Sequence, residues 1–195
     1  MQCAGPILVE ALEALEDGVT MLSVSVGKPI YAGERGYRYT NRNSRLLQVL
    51  KAVRVVSGLR AALHLLDLGH AQEAAALLRS VNDALYDIWA LHEAHYSEDG
   101  AKAYQQRMVD EFFGSDDHDR IAARMAREKV GVPRVGRKKK IAAIERSLRP
   151  FAGGDDTRAL AESIALALDG YEHAGYTQIM EMYDPDVDAF RMRGG

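Results

Sequence analysis

Between Leu77 and Trp89 the chain places Arg79, Asn82, Asp83, Tyr86 and Asp87 at steps of three and four residues. That spacing puts all five side chains on one face of an α-helix. A guanidinium, two carboxylates, an amide and a phenol on one surface can hold a ligand, orient an imidazole or stabilise developing charge. The order of the charges does not suit a face that only solubilises a helix. Asp83 and Asp87 repel across one turn, and Arg79 precedes Asp83, the weaker orientation for an i,i+4 pair, each effect amounting to a few tenths of a kcal/mol. The plain alternative is a solvated surface; the other reading is that these charges meet counterparts elsewhere in the fold.

A second group lies late in the chain, from Tyr171 to Tyr183, where His173, Tyr176, Thr177 and Met180 share one face if the helix is continuous. A histidine among tyrosines is in its ordinary role a hydrogen-bonded packing element, and Gly175 beside Ala174 permits close helix approach. If His173 faces Asp83 or Asp87, the carboxylate orients the ring and favours its charged form, which makes an acid–base or ligand site. Arg79 in that arrangement would stabilise negative charge as it develops. Two further clusters, His92, Glu93 and His95, and Asp116, Asp117, His118 and Asp119, match none of the spacings of zinc, calcium or di-iron sites. Neither a metal nor a cofactor is expected. The basic run Arg134, Arg137, Lys138, Lys139, Lys140, Arg146 and Arg149 can contact phosphates, yet no aromatic residues interleave it, and a solvated helix is its simpler use.

Leu59 to Asp87 together with Tyr171, His173, Ala174 and Tyr176 resembles an uncharacterised bacterial family of all-helical proteins that pairs an Arg-x-x-x-(Asp/Glu) helix with a late Tyr-x-His-(Ala/Gly)-x-Tyr element. The likeness covers about half the chain. It implies an α-helical fold and points to Arg79, Asp83, His173 and Tyr176, without roles. More distantly the arrangement is similar to HEPN proteins of toxin–antitoxin and phage-defence systems, whose nucleases use an arginine followed after four to six residues by a histidine. No arginine stands so before His64, His70, His92, His95, His118 or His173, so the resemblance implies a relative that does not cleave RNA by that motif.

These residues must be positioned by helices. Apolar residues recur at three- and four-residue steps, with proline and glycine between segments rather than within them, so the chain reads as an all-α bundle of six or seven helices. The first is expected from about Pro6 to Leu22, followed by a flexible loop at about 27–42 in which Tyr31, Tyr37 and Tyr39 either pack down or form a mobile flap. A long helix from Ser44 to Leu68, capped by Asn43 or Ser44 and ended by Gly69, should pair antiparallel with a helix from about His70 to His95. This hairpin is expected to be the heart of the molecule, with the Ser44–Leu68 helix the most buried. Further helices are expected near 101–113, up to 130, at about 137–148 and at about 158–183. A tail at 184–195 leaves open whether the chain is complete.

At 195 residues, with 47% hydrophobic and 27% charged residues, one soluble domain spanning 1–195 is the default. A net charge of −3 offers no global attraction to nucleic acid or anionic membranes. The one cysteine, Cys3, can form no internal disulfide, which suits a reducing, cytoplasmic setting. No run approaches the roughly 18 apolar residues of a membrane span, so no membrane is expected. The combined expectation is a cytoplasmic binding or interaction protein, its expected partners a second copy or another protein, with a polar inter-helix pocket of Arg79, Asp83, Tyr86, Asp87, His173 and Tyr176. Its rivals are a HEPN-like nuclease or other hydrolase using His173 and Arg79, and nucleic-acid docking through residues 134–149.

Overall fold

A computed structural model describes residues 5–33, 37–96, 101–114, 136, 140–142, 159–160, 162–164, 166–168, 183–184 and 189–190. The chain is all-α. Among the described residues the long helices are α1 (Pro6–Val24), α2 (Ser44–Asp67), α3 (Ala71–Tyr96) and α4 (Ala101–Gly114). Helical backbone recurs at 140–142 and at the described positions of 159–168.

α2 starts where it does because the Asn43 side chain accepts a hydrogen bond from the Leu46 N–H at 2.9 Å, a cap worth about 1 kcal/mol. It stops at Gly69, whose φ of 80° is left-handed and open to glycine at little cost. There the Gly69 N–H donates to the Leu66 carbonyl and the His70 N–H to that of Leu65, so two of the last carbonyls are satisfied and the chain reverses. α3 then runs back antiparallel against α2: Leu47 packs with Ala90 and Leu91, and Val55 with Val81 and Ala84. Gly58 sits at a close contact of the two helices; a Cβ there would fall well inside van der Waals contact of Val81 Cγ2. α4 closes one end of the hairpin by adding Met108 and Val109 to Leu47, Ala90 and Leu91, with Tyr104, Phe112 and Phe113 around them. Full burial of Leu47 or Leu91 contributes about 1.5–3 kcal/mol each, so this end anchors the fold.

The hairpin is central as expected, α2 packing against α1, α3 and α4 and α3 against α2 and α4. Val53 and Leu66 of α2 and Leu85 of α3 stay exposed, while α3 buries Val81 and Ala84 against α2 and Tyr86 against Ile141. α1 lies on α2, tied by an Arg60–Glu16 ion pair. It buries Leu12 and leaves Ile7, Leu8, Leu15, Met21 and Leu22 exposed.

Within the stretch read as a loop, β1 (Ile30–Tyr31) and β2 (Tyr37–Arg38) pair antiparallel, with Tyr31 opposite Tyr37. Near the C-terminus β3 (Tyr183–Asp184) pairs with β4 (Ala189–Phe190), so Tyr183 is extended and does not end a helix. Pro185 disfavours helix at Asp184, because the residue before a proline is pushed from α toward β geometry. Among the described residues no helix is long and apolar enough to cross a membrane.

Candidate functional site

Three of the five polar side chains in the α3 row, Arg79, Tyr86 and Asp87, are turned inward. Arg79 and Asp87 are each only 8% exposed, and Tyr86 is buried beside them. Asp87 sits between two lysines: Lys51 of α2 places Nζ 2.7 Å from Oδ2, and Lys140 of the 140–142 turn pairs with Oδ1. The Lys51 ammonium also lies 5.1 Å from the centre of the Phe112 ring of α4, within range of a cation–π attraction. One carboxylate thus joins α2, α3 and the 140–142 turn, with α4 on the flank. Tyr86 extends the junction by packing with Ile141 and Trp89.

Among the described residues, charge at this junction does not cancel. Two ammonium groups face one carboxylate, and the lysine side chains keep 22% and 21% of their surface open while that of Asp87 keeps 11%. The centre is therefore shielded and carries a surplus of one positive charge, a combination in which an anion meets little competing water. Each ammonium has three donors, more than one carboxylate oxygen uses.

Two turns back along α3, Arg79 pairs with Asp83 despite the unfavourable order of the two residues. The side chains differ in setting, 10% exposed for Arg79 and 50% for Asp83, so the carboxylate acts as the solvent-side lid of a buried guanidinium. Between them Asn82 keeps a buried Nδ2 that meets no acceptor. Eight residues of helix separate Arg79 from Asp87, about 12 Å along the axis. The five-residue row is thus divided, Arg79 with Asp83 at one level and Tyr86 with Asp87 at another, rather than gathered around one point. His173 and Tyr176, expected to face this row, lie outside the described residues, as do Arg134, Arg137, Lys138, Lys139, Arg146, Arg149 and the 116–119 cluster.

Lys51 was missed by reading motifs, although its signal is in the sequence. It falls on the α2 wheel between Leu47 and Val55, inside the apolar arc. A cation in such an arc needs an acid on the facing helix, and Asp87 is that acid. Lys140 was legible only as one base in a charge run. Among the described residues no group of three His, Cys, Asp or Glu side chains could hold a metal ion; His92 makes an edge contact with Trp89, ring centres 6.1 Å apart. In comparison with known proteins, the chain matches no family model, no curated protein and no solved structure.

Proposed function

We propose that this chain is a binding protein for a small anion, received at the junction of α2, α3 and the 140–142 turn. The observation that carries the reading is the unbalanced pair of ammonium groups on Asp87, shielded yet partly open. A phosphate or carboxylate there would gain charge-assisted hydrogen bonds from Lys51 and Lys140 without displacing Asp87. Binding is favoured over catalysis because the other buried cation, Arg79, already has its charge balanced by Asp83 on its own helix. Thermal unfolding with inorganic phosphate, citrate and ATP tests this. An anion at about a hundred times its Kd adds roughly 2.7 kcal/mol, a rise of about 5–10 °C for a chain of this size. Lys51→Met and Lys140→Met should each abolish the rise. Anions that shift none of the three proteins, or shift all three alike, would remove the site.

We further propose that the chain works as a homodimer in the cytoplasm, in a defence or stress setting by its resemblance to helical proteins of that kind. Support for the dimer is the open stripe on α1: Ile7, Leu15 and Leu22 recur at helical spacing, with Leu8 and Met21 at its edges. Exposed apolar patches of more than a few hundred Å² are unusual on a monomer. Equilibrium sedimentation reads the association directly. The cytoplasmic placement rests on the one cysteine of the chain.

A further inference from the structure

The β1–β2 hairpin carries two rings that the fold does not use. Tyr31 and Tyr37 stand opposite each other across the strands, their centres 5.5 Å apart in an edge-on arrangement, and each is 69% exposed. Two-residue strands are too short to be stable through pairing alone, so a tyrosine serving the fold here would be expected to pack down on the helices. Tyr39 is half-buried, whereas Tyr31 and Tyr37 are exposed. Gly27 and Gly33, at φ of 79° and 63°, shape the entry and the turn that present them.

The surroundings of these rings are cationic. From Gly27 to Arg45 the sequence holds Lys28, Arg35, Arg38, Arg42 and Arg45 against one acid, Glu34, in a chain whose net charge is −3. Lys28, Arg42 and Arg45 are exposed. Two of the guanidiniums are held in place: Arg38 Nη1 donates to the Tyr37 carbonyl at 2.8 Å, and Arg42 lies over the Phe113 ring, 5.8 Å from its centre. Arg42 is four residues beyond Arg38, so at most about 14 Å of chain separates them. The positive charge therefore flanks the rings within a few residues.

We propose that this hairpin binds single-stranded nucleic acid, with bases stacking on Tyr31 and Tyr37 and the backbone phosphates running along Lys28, Arg42 and Arg45. Exposed aromatic faces accept any base, while cations beside them track the strand, which is the chemistry of sequence-tolerant single-strand binding. A protein surface could also cover two tyrosines, but it would have to be acidic to meet the same bases, and no acid of the described hairpin residues helps to select it. The side chains involved, Tyr31, Tyr37, Lys28, Arg42 and Arg45, are different from the Lys51 and Lys140 of the Asp87 junction, so each proposal is tested by its own variants.

Fluorescence anisotropy of the full chain with labelled oligo-dT and oligo-rU at low salt is the test. With three phosphates neutralised, the logarithm of the binding constant should fall against that of salt with a slope of about −2. Tyr31→Ala and Tyr37→Ala should each weaken binding about 5- to 150-fold, the range given by the loss of one stacked base, while Tyr31→Phe retains it. Lys28→Ala should make the salt slope shallower by about 0.7. Circular dichroism establishes that each variant is folded. The proposal is overturned if neither oligonucleotide binds at low salt, if the alanine variants bind like wild type, or if binding is lost only when Lys138 and Lys139 are neutralised. Tyrosine-dependent capture of an acidic, leucine-rich peptide in place of oligonucleotide would equally overturn it and assign the hairpin to a protein partner.

Discussion

Replacing Asp87 by leucine should be the most damaging single change at the junction, and replacing its lysines as well should undo the damage. Removing one partner of a fully buried ion pair costs about 3–5 kcal/mol, because the remaining charge is stranded. Here the stranded groups are Lys51 and Lys140, whose side chains are 22% and 21% exposed and can partly rehydrate. The expected loss for Asp87→Leu is therefore about 2–3 kcal/mol, below the range for a fully buried pair. Lys140→Met leaves Asp87 with Lys51 and should cost about 1 kcal/mol. Lys51→Met also loses the contact with Phe112 and should cost about 0.5–1 kcal/mol more than that. The triple variant Lys51→Met, Asp87→Leu, Lys140→Met strands no charge and should return to within about 1 kcal/mol of wild type, or exceed it. Urea unfolding followed by far-ultraviolet circular dichroism measures all four, with the slope against denaturant showing whether the native state stays compact. The reasoning fails if Asp87→Leu is no worse than Lys140→Met, or if the triple variant is as unstable as Asp87→Leu alone.

Gly58→Ala gains about 1 kcal/mol of helix propensity yet drives a methyl into Val81, itself 2% exposed and stiff at χ1, so a net loss of about 2 kcal/mol is expected. Val81→Ala should relieve much of it in a double-mutant cycle; a neutral Gly58→Ala would show that α2 and α3 do not approach so closely. Leu15→Glu places a charge in the middle of the α1 stripe and should convert a dimer to monomers in sedimentation, whereas a wild-type chain already monomeric at high concentration refutes the dimer.

Secondary structure was legible from local chemistry. The cap at Asn43, the reversal at Gly69 and the three-and-four spacing of Leu46, Val49, Val53 and Val56 needed no knowledge of distant contacts, since each acts within one or two turns. The same spacing could not say which elements cover that face. Apolar pattern shows which side is buried, while the choice of α1, α3 and α4 as the neighbours of α2, and of Ile141 as the cover of Tyr86, is made by packing.

The candidate site was half legible. The misordered charges on α3 announced that partners were needed, and Arg79, Tyr86 and Asp87 are indeed buried. Their identity was not announced, because Lys51 and Lys140 lie 36 residues before and 53 residues after Asp87 in the chain, and no local rule couples such distant positions. Tyr31 and Tyr37 show the same division. Their types and spacing were plain, but whether a ring in a connecting segment packs inward or stands in solvent depends on what the surrounding helices leave open to it. Helix, cap and turn follow from groups a few residues apart, whose interactions hold whatever the rest of the chain does. Which charge meets which, and which ring stays bare, is set by packing between segments far apart in sequence.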